Sequence, residues 1–199
     1  MGELSTLKFI FSGEERPYTG VELRPHFLLE KLGLRGSGIG VFQGPCQVQT
    51  DHLVDWEDRL AHDRIEARRM LHFIGEFFGM SLNEGVLTQR FLMATIADVL
   101  NENRGRSGEK FRVHRRGDDL FADERKLSVS IVTASPVSIL LHTGLNIDPS
   151  GAPVPAIGLS EMGLTNVDSA EDFVGRLEAR FLEEWNDMKW ACTKVRPVV

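Results

Sequence analysis

The stretch R-R-G-D-D-L-F-A-D-E-R-K-L-S-V-S-I, from Arg115 to Ile131, reads as a polar hairpin that presents one lysine. Gly117-Asp118-Asp119 is turn chemistry, and Asp123-Glu124-Arg125 is a second tight polar turn that would close Leu120-Phe121 against the strand that follows. From Lys126 the side chains alternate Lys, Leu, Ser, Val, Ser, Ile. Period two is the signature of a strand, with Leu127, Val129 and Ile131 on one face and Lys126, Ser128 and Ser130 on the other. One face packs and the other lines a polar pocket, which makes Lys126 the place to look for chemistry.

Working outward, Val86 to Leu100 reads as a helix with Leu87, Phe91, Ile96 and Leu100 approximating one face, followed by a polar loop from Asn101 to Lys110. Phe111–Val113, Leu120–Phe121, Leu127–Thr133 and Val137–His142 read as successive strands. Asp168–Trp190 reads as a terminal helix packing Phe173, Leu177, Phe181 and Trp185. Upstream, Leu4–Ser12 reads as a first strand, Glu22–Leu34 as a short helix and the glycine-rich Gly33–Gly44 as a strand with tight approaches. Asp55–Phe78 reads as the longest helix, ending near Gly79. In that helix His62 with Glu66, and His72 with Glu76, stand four apart as solvated or hydrogen-bonded pairs rather than a metal site. Strands gathered in a run and framed by helices predict an α+β fold, a mixed, largely antiparallel sheet flanked by helices.

The bulk composition narrows the function classes. A chain of 199 residues, 42% hydrophobic and 26% charged, suits a single domain over 1–199 that buries roughly 70% of its unfolded surface. A net charge of −6 argues against nucleic acid as the main partner. The apolar run Leu7–Phe11 is too short to span a membrane, so a soluble, cytoplasmic protein is expected, without a membrane partner. Two distant cysteines, Cys46 and Cys192, fit reduced thiols. No close-set cysteine and histidine cluster supports a metal, and none is expected.

The order helix, loop, G-D-D-L-F-A-D-E-R-K-L-S-V-S-I, apolar strand, H-T-G-L-N-I-D, loop, G-L-S-E-M-G and terminal helix resembles the catalytic core of the biotin and lipoate protein ligase superfamily, a class II synthetase-like fold. The resemblance covers roughly Val86 to Trp185 and extends to a small prokaryotic family, a domain of unknown function. It implies activation of a small carboxylic acid with ATP and Mg2+ to an acyl-adenylate, or acyl transfer to an acceptor protein. Lys126 then matches the lysine that meets carboxylate and phosphate oxygens, and Asp119 is the residue that orients it or a magnesium ion. Asp118 and Asp119 fall at the N-D of the family hairpin, and Asn146 falls at the asparagine of its G-I-N.

Ser128 lies on the lysine face, His142 ends the apolar strand, and Arg115 and Arg116 offer guanidinium forks for a phosphate or carboxylate. Arg90 is expected to anchor a carboxylate within the fold. Cys46, after Gly44-Pro45, is the candidate acyl-holding thiol. Val129 stands where the family has glycine, and Gly33–Gly40 is glycine-rich with a single arginine where the ligases carry an arginine-rich phosphate loop. The alternative reading is therefore a non-catalytic module that binds a small anionic metabolite or nucleotide with the same residues. Exposed strand edges of this fold class make a homodimer an expectation as well.

Overall fold

In the computed structural model, residues 7–102, 111–163 and 167–198 are described. Among these residues, eight strands and four helices follow one another as β1 (Lys8–Glu15), α1 (Phe27–Leu32), β2 (Gly38–Val48), α2 (Trp56–Leu60), β3 (Ile65–Phe77), α3 (Leu82–Glu102), β4 (Val113–Arg116), β5 (Asp119–Ala122), β6 (Arg125–Lys126), β7 (Ser128–Ala134), β8 (Ile139–Asp148) and α4 (Val167–Thr193). The main sheet runs β1-β2-β3-β8-β7, and a small second sheet runs β4-β5-β6. Among the described strands, β1 and β2 pair in parallel and the other strand pairs are antiparallel, with isolated parallel bridges at Tyr18–Cys46 and Lys126–Ala156. The expected α+β class, a largely antiparallel sheet flanked by helices, is what the chain adopts. Among the described residues no helix is long and apolar enough to cross a membrane.

The main sheet is covered on both faces. Leu71, Phe73 and Phe77 of β3 and Leu141 and Leu145 of β8 point to the face where α3 and α4 bring Leu92, Met93, Ile96, Phe173, Leu177 and Phe181. Met70 and Ile74 of β3 point the other way, into a second core with Tyr18, Phe27, Leu28, Phe42 and Cys46. The helix expected over Asp55–Phe78 is thus mostly a strand: only Trp56–Leu60 is helical, capped by Asp55, whose carboxylate accepts the Glu57 N–H at 2.7 Å. A central strand packed on both faces carries apolar residues at both parities. M-L-H-F-I-G-E-F therefore satisfies a helical period as well as an extended one.

Smaller differences have similar causes. The strand expected to end at His142 continues to Asp148, and the helix expected from Glu22 starts only at Phe27, after Pro25 and a left-handed His26. Leu87 is exposed, because α3 turns Thr88, Leu92 and Ile96 inward instead. The terminal helix buries Phe173, Leu177 and Phe181 as expected, with Trp185 packed at the margin. The loop expected over Asn101–Lys110 falls largely outside the described residues, as do positions 4–6 of the first strand.

Past a register shift after Phe11, the chain runs on beside β2: Gln43 accepts the Arg16 N–H at 2.8 Å, and Pro45 accepts that of Tyr18 at 2.9 Å. The approach is close enough that a Cβ on Gly44 would lie 1.8 Å from the Arg16 carbonyl oxygen. Since that obstacle is backbone, no rotamer change relieves it. We therefore expect Gly44→Ala to lower stability by about 2–4 kcal/mol in urea unfolding. Gly13→Ala, where the added carbon meets nothing within 4 Å, should change it by less than about 0.5 kcal/mol.

Candidate functional site

A cavity of about 370 Å³ opens on the second-core face of the sheet, opposite α3 and α4. Its floor is Met70 of β3, His142 and Asn146 of β8 and Val129 and Ile131 of β7. Tyr18 closes one end, and the segment Val48–Glu66 arches over it with Asp55, Asp58 and Asp63. Its volume lies at the small end of ligand pockets, roughly 300–1,000 Å³.

Lys126 forms part of the wall and is held from three sides. Its ammonium meets the Asp119 carboxylate at 2.8 Å, with side-chain exposures of 31% and 23%. Its N–H donates to the Pro155 carbonyl at 2.9 Å, and its own carbonyl accepts from Ile157 N–H and from Asn146 Nδ2 at 3.0 and 3.2 Å. The lysine is thus placed by a backbone junction where the small sheet hands the chain to the large one, and Asn146 braces that junction. Burial pushes the Asp119 carboxyl above its ordinary value, against the pull of the Lys126 ammonium. Asp58 is raised too, by burial and then by Asp55 and Asp63, with Lys126 close enough to pull it down.

The junction also corrects the expected faces. At Leu127 the chain changes sheets, so period two does not carry through from Lys126. Ser128 accepts the Leu120 N–H at 2.8 Å, and Ser130 pairs with Thr143 Oγ1 and Gln89 Nε2, both at 2.9 Å. Both serines border the cavity, but their hydroxyls serve the packing beneath β7. Val129 packs instead with the second core, Cγ2 lying 3.3 Å from where a Cβ on Gly144 would stand.

The other sequence candidates separate. Asp118 lines the cavity and is held by Arg90 at 3.4 Å, which gives Arg90 its carboxylate. Arg115 and Arg116 lie outside the lining: Arg115 bonds the Gly117 carbonyl, and Arg116 pairs with exposed Glu124 at 2.8 Å. Cys46 is wholly buried away from the cavity, and burial pushes its thiol up to about 12, so the thiolate an acyl carrier needs is not at hand.

Sequence reasoning missed a buried pair at the far end of the cavity. His72 Nδ1 lies 3.1 Å from His142 Nε2, and His72 Nε2 lies 3.2 Å from the Gly44 carbonyl. Tyr18 stacks on His142 at 3.7 Å between ring centres, with the planes 10° apart. The signal was a histidine inside each of two apolar runs, M-L-H-F-I and L-L-H-T-G; seventy residues of separation concealed the pairing.

This geometry can be set beside known proteins. A family model described as a domain of unknown function, DUF366, matches residues 7–196. The chain belongs to the DUF366 family. A protein of unknown function from Pyrococcus horikoshi is 33% identical, with a TM-score of 0.84, over 97% of this chain and 100% of that one. An arginine-to-glycine variant of the Aquifex aeolicus biotin protein ligase, in complex with biotin, is similar at TM-score 0.58 and 16% identity, over 93% of this chain and 72% of the ligase. That ligase has also been solved with biotin and ATP. A putative lipoate protein ligase from T. acidophilum with bound lipoic acid is similar at 0.55 and 10% identity, over 90% and 87%. The likeness to the two ligases is one of fold and matches the resemblance read from the hairpin.

The histidines give the site a pH signature. Burial lowers His72 from 6.5 to about 4, despite the Gly44 carbonyl, and holds His142 well below its ordinary value. Each is neutral when folded and takes up a proton near 6.5 when unfolded, so their stabilisation is complete above about pH 6.5 and declines as pH falls below it. The slope is at most about 1.4 kcal/mol per pH unit for each proton. The urea midpoint should fall between about pH 6.5 and pH 5, and His72→Phe should flatten that fall; a midpoint constant across the window in the unaltered protein would contradict the arrangement.

Proposed function

We propose that the cavity binds a small carboxylic acid with its carboxylate at Lys126, for activation to an acyl-adenylate and transfer to an acceptor. The observation that carries the reading is the ammonium of Lys126, fixed at the cavity wall by Asp119 at 2.8 Å with its backbone braced by Asn146. In the activation step a carboxylate oxygen attacks the α-phosphorus of ATP, and the bond to the leaving pyrophosphate breaks. Charge gathers on oxygens around that phosphorus, and a compact, pre-placed cation stabilises it.

The lining sets a condition on the nucleotide. Asp55, Asp58, Asp63, Glu66, Asp118 and Asp119 outnumber the cations Lys126 and Arg64, so a bare triphosphate is repelled and a magnesium complex is not. No group of three described His, Cys, Asp or Glu residues is arranged to hold a metal. Magnesium would enter with the phosphates, which supply most of its ligands, leaving one or two of these carboxylates to complete the set.

Val129 favours a second reading, a module that binds such a metabolite without turnover. Its side chain fills space beside Gly144 where the ligase pattern has glycine, narrowing the approach to the backbone. Pyrophosphate release with a panel of small carboxylic acids separates the two. In the activating enzyme Lys126→Ala should lower release by about a hundredfold or more, while stability changes by about 1 kcal/mol or less because the ion pair is partly exposed. Unchanged release in Lys126→Ala would defeat the reading; no release from either form would favour the module.

A further inference from the structure

The histidine pair has one consistent wiring. A carbonyl can only accept, so His72 Nε2 carries a proton and donates to Gly44. A neutral ring has one N–H, which leaves His72 Nδ1 a bare acceptor, and His142 Nε2 must then be the donor across the 3.1 Å contact. That leaves His142 Nδ1 unprotonated. His142 is 2% exposed and lines the cavity, and among the described residues nothing donates to that nitrogen. Tyr18, stacked 3.7 Å above, holds the ring in plane and covers its face.

We propose that the His142 end of the cavity selects a neutral head group that donates a hydrogen bond, an N–H or O–H, and rejects anions and donor-free heads. This rests on reading the Lys126 end as the carboxylate site. His142 and Asn146, which braces Lys126, are four residues apart on β8, about 13 Å along the strand, so a small acid can meet both ends at once. The Nδ1 lone pair is not one of the sealed, unpartnered side-chain atoms of the described residues but opens to the cavity, so a ligand that displaces solvent there without donating leaves it unmet, while a donor-bearing ligand satisfies it. An anion would face that lone pair with no compensating charge from either ring, both being held neutral by burial. A head without a donor would leave it unmet.

The test is histidine nitrogen NMR on the unaltered protein, labelled with ¹⁵N-histidine, alone and with two probes. Biotin carries a carboxylate and a cyclic urea with N–H donors; lipoic acid carries a carboxylate and a disulfide ring with none. Without ligand, His72 and His142 should both be Nε2–H tautomers at neutral pH. Biotin should shift the His142 Nδ1 resonance and lipoic acid should not. An Nδ1–H tautomer at His142, an equal response to both acids, or no response to either would overturn the proposal. In parallel, His142→Phe should weaken biotin binding tenfold or more and spare lipoic acid; equal loss for both would count against it. Repeating the titration on Lys126→Ala separates the two claims: undiminished biotin affinity with the His142 shift intact would refute the carboxylate role of Lys126 and leave head-group recognition standing.

Discussion

β3 and β8 pair from Met70–Asn146 to Phe77–Ile139 with protein on both faces, and a strand pair buried in this way admits polar groups only where each finds a partner. Glu76 meets that condition by accepting the His26 N–H at 2.9 Å and the Ser138 hydroxyl at 2.8 Å. His72 meets it through Gly44 and His142. His142 meets it at Nε2 through His72, while its Nδ1, which has no donor among the described residues, is not sealed in the core. The cavity thus has two unlike ends, an unpaired ring nitrogen of His142 and the pinned ammonium of Lys126.

The same constraint explains the small residues around the cavity. Gly144 faces the floor between His142 and Asn146, and a Cβ there would stand 2.7 Å from Met70 Cε and 3.3 Å from Val129 Cγ2. Gly44 lets the chain through Tyr18 lie against β2, which delivers the phenol ring onto His142, and its carbonyl is the acceptor that sets the tautomer of His72. One close backbone approach therefore both shapes the cavity and fixes its proton arrangement.

The hairpin was legible because its turns are local chemistry and Lys126 has little freedom once Leu127 is committed to the core. Lys126, Asp119, Asp118 and Asn146, expected from the ligase-like order of motifs, do gather at one cavity, whereas Arg115, Arg116 and Cys46 do not. The arginines precede the turn and run out to solvent; the cysteine follows Gly44-Pro45 into the second core. The central strand is illegible as such because burial on both faces erases period two; Ser128 and Ser130 do border the cavity, but alternation cannot reveal the change of sheet at Leu127 that turns their hydroxyls to the packing beneath β7. The carboxylates of the arch and the histidine pair depend on contacts across tens of residues, which no local pattern encodes.

The likeness to biotin and lipoate ligases supplies a fold, and the cavity has a lining of its own: an acidic arch, one fixed lysine and a hydrogen-bonded histidine pair. An ATP-using site in such surroundings would depend on magnesium and on Lys126 together. Isothermal titration of magnesium-ATP into the purified protein, in parallel with Lys126→Ala, tests this most directly. Binding in the unaltered protein that is lost in Lys126→Ala is the result the account predicts; binding of equal strength in both, or in neither, would contradict it.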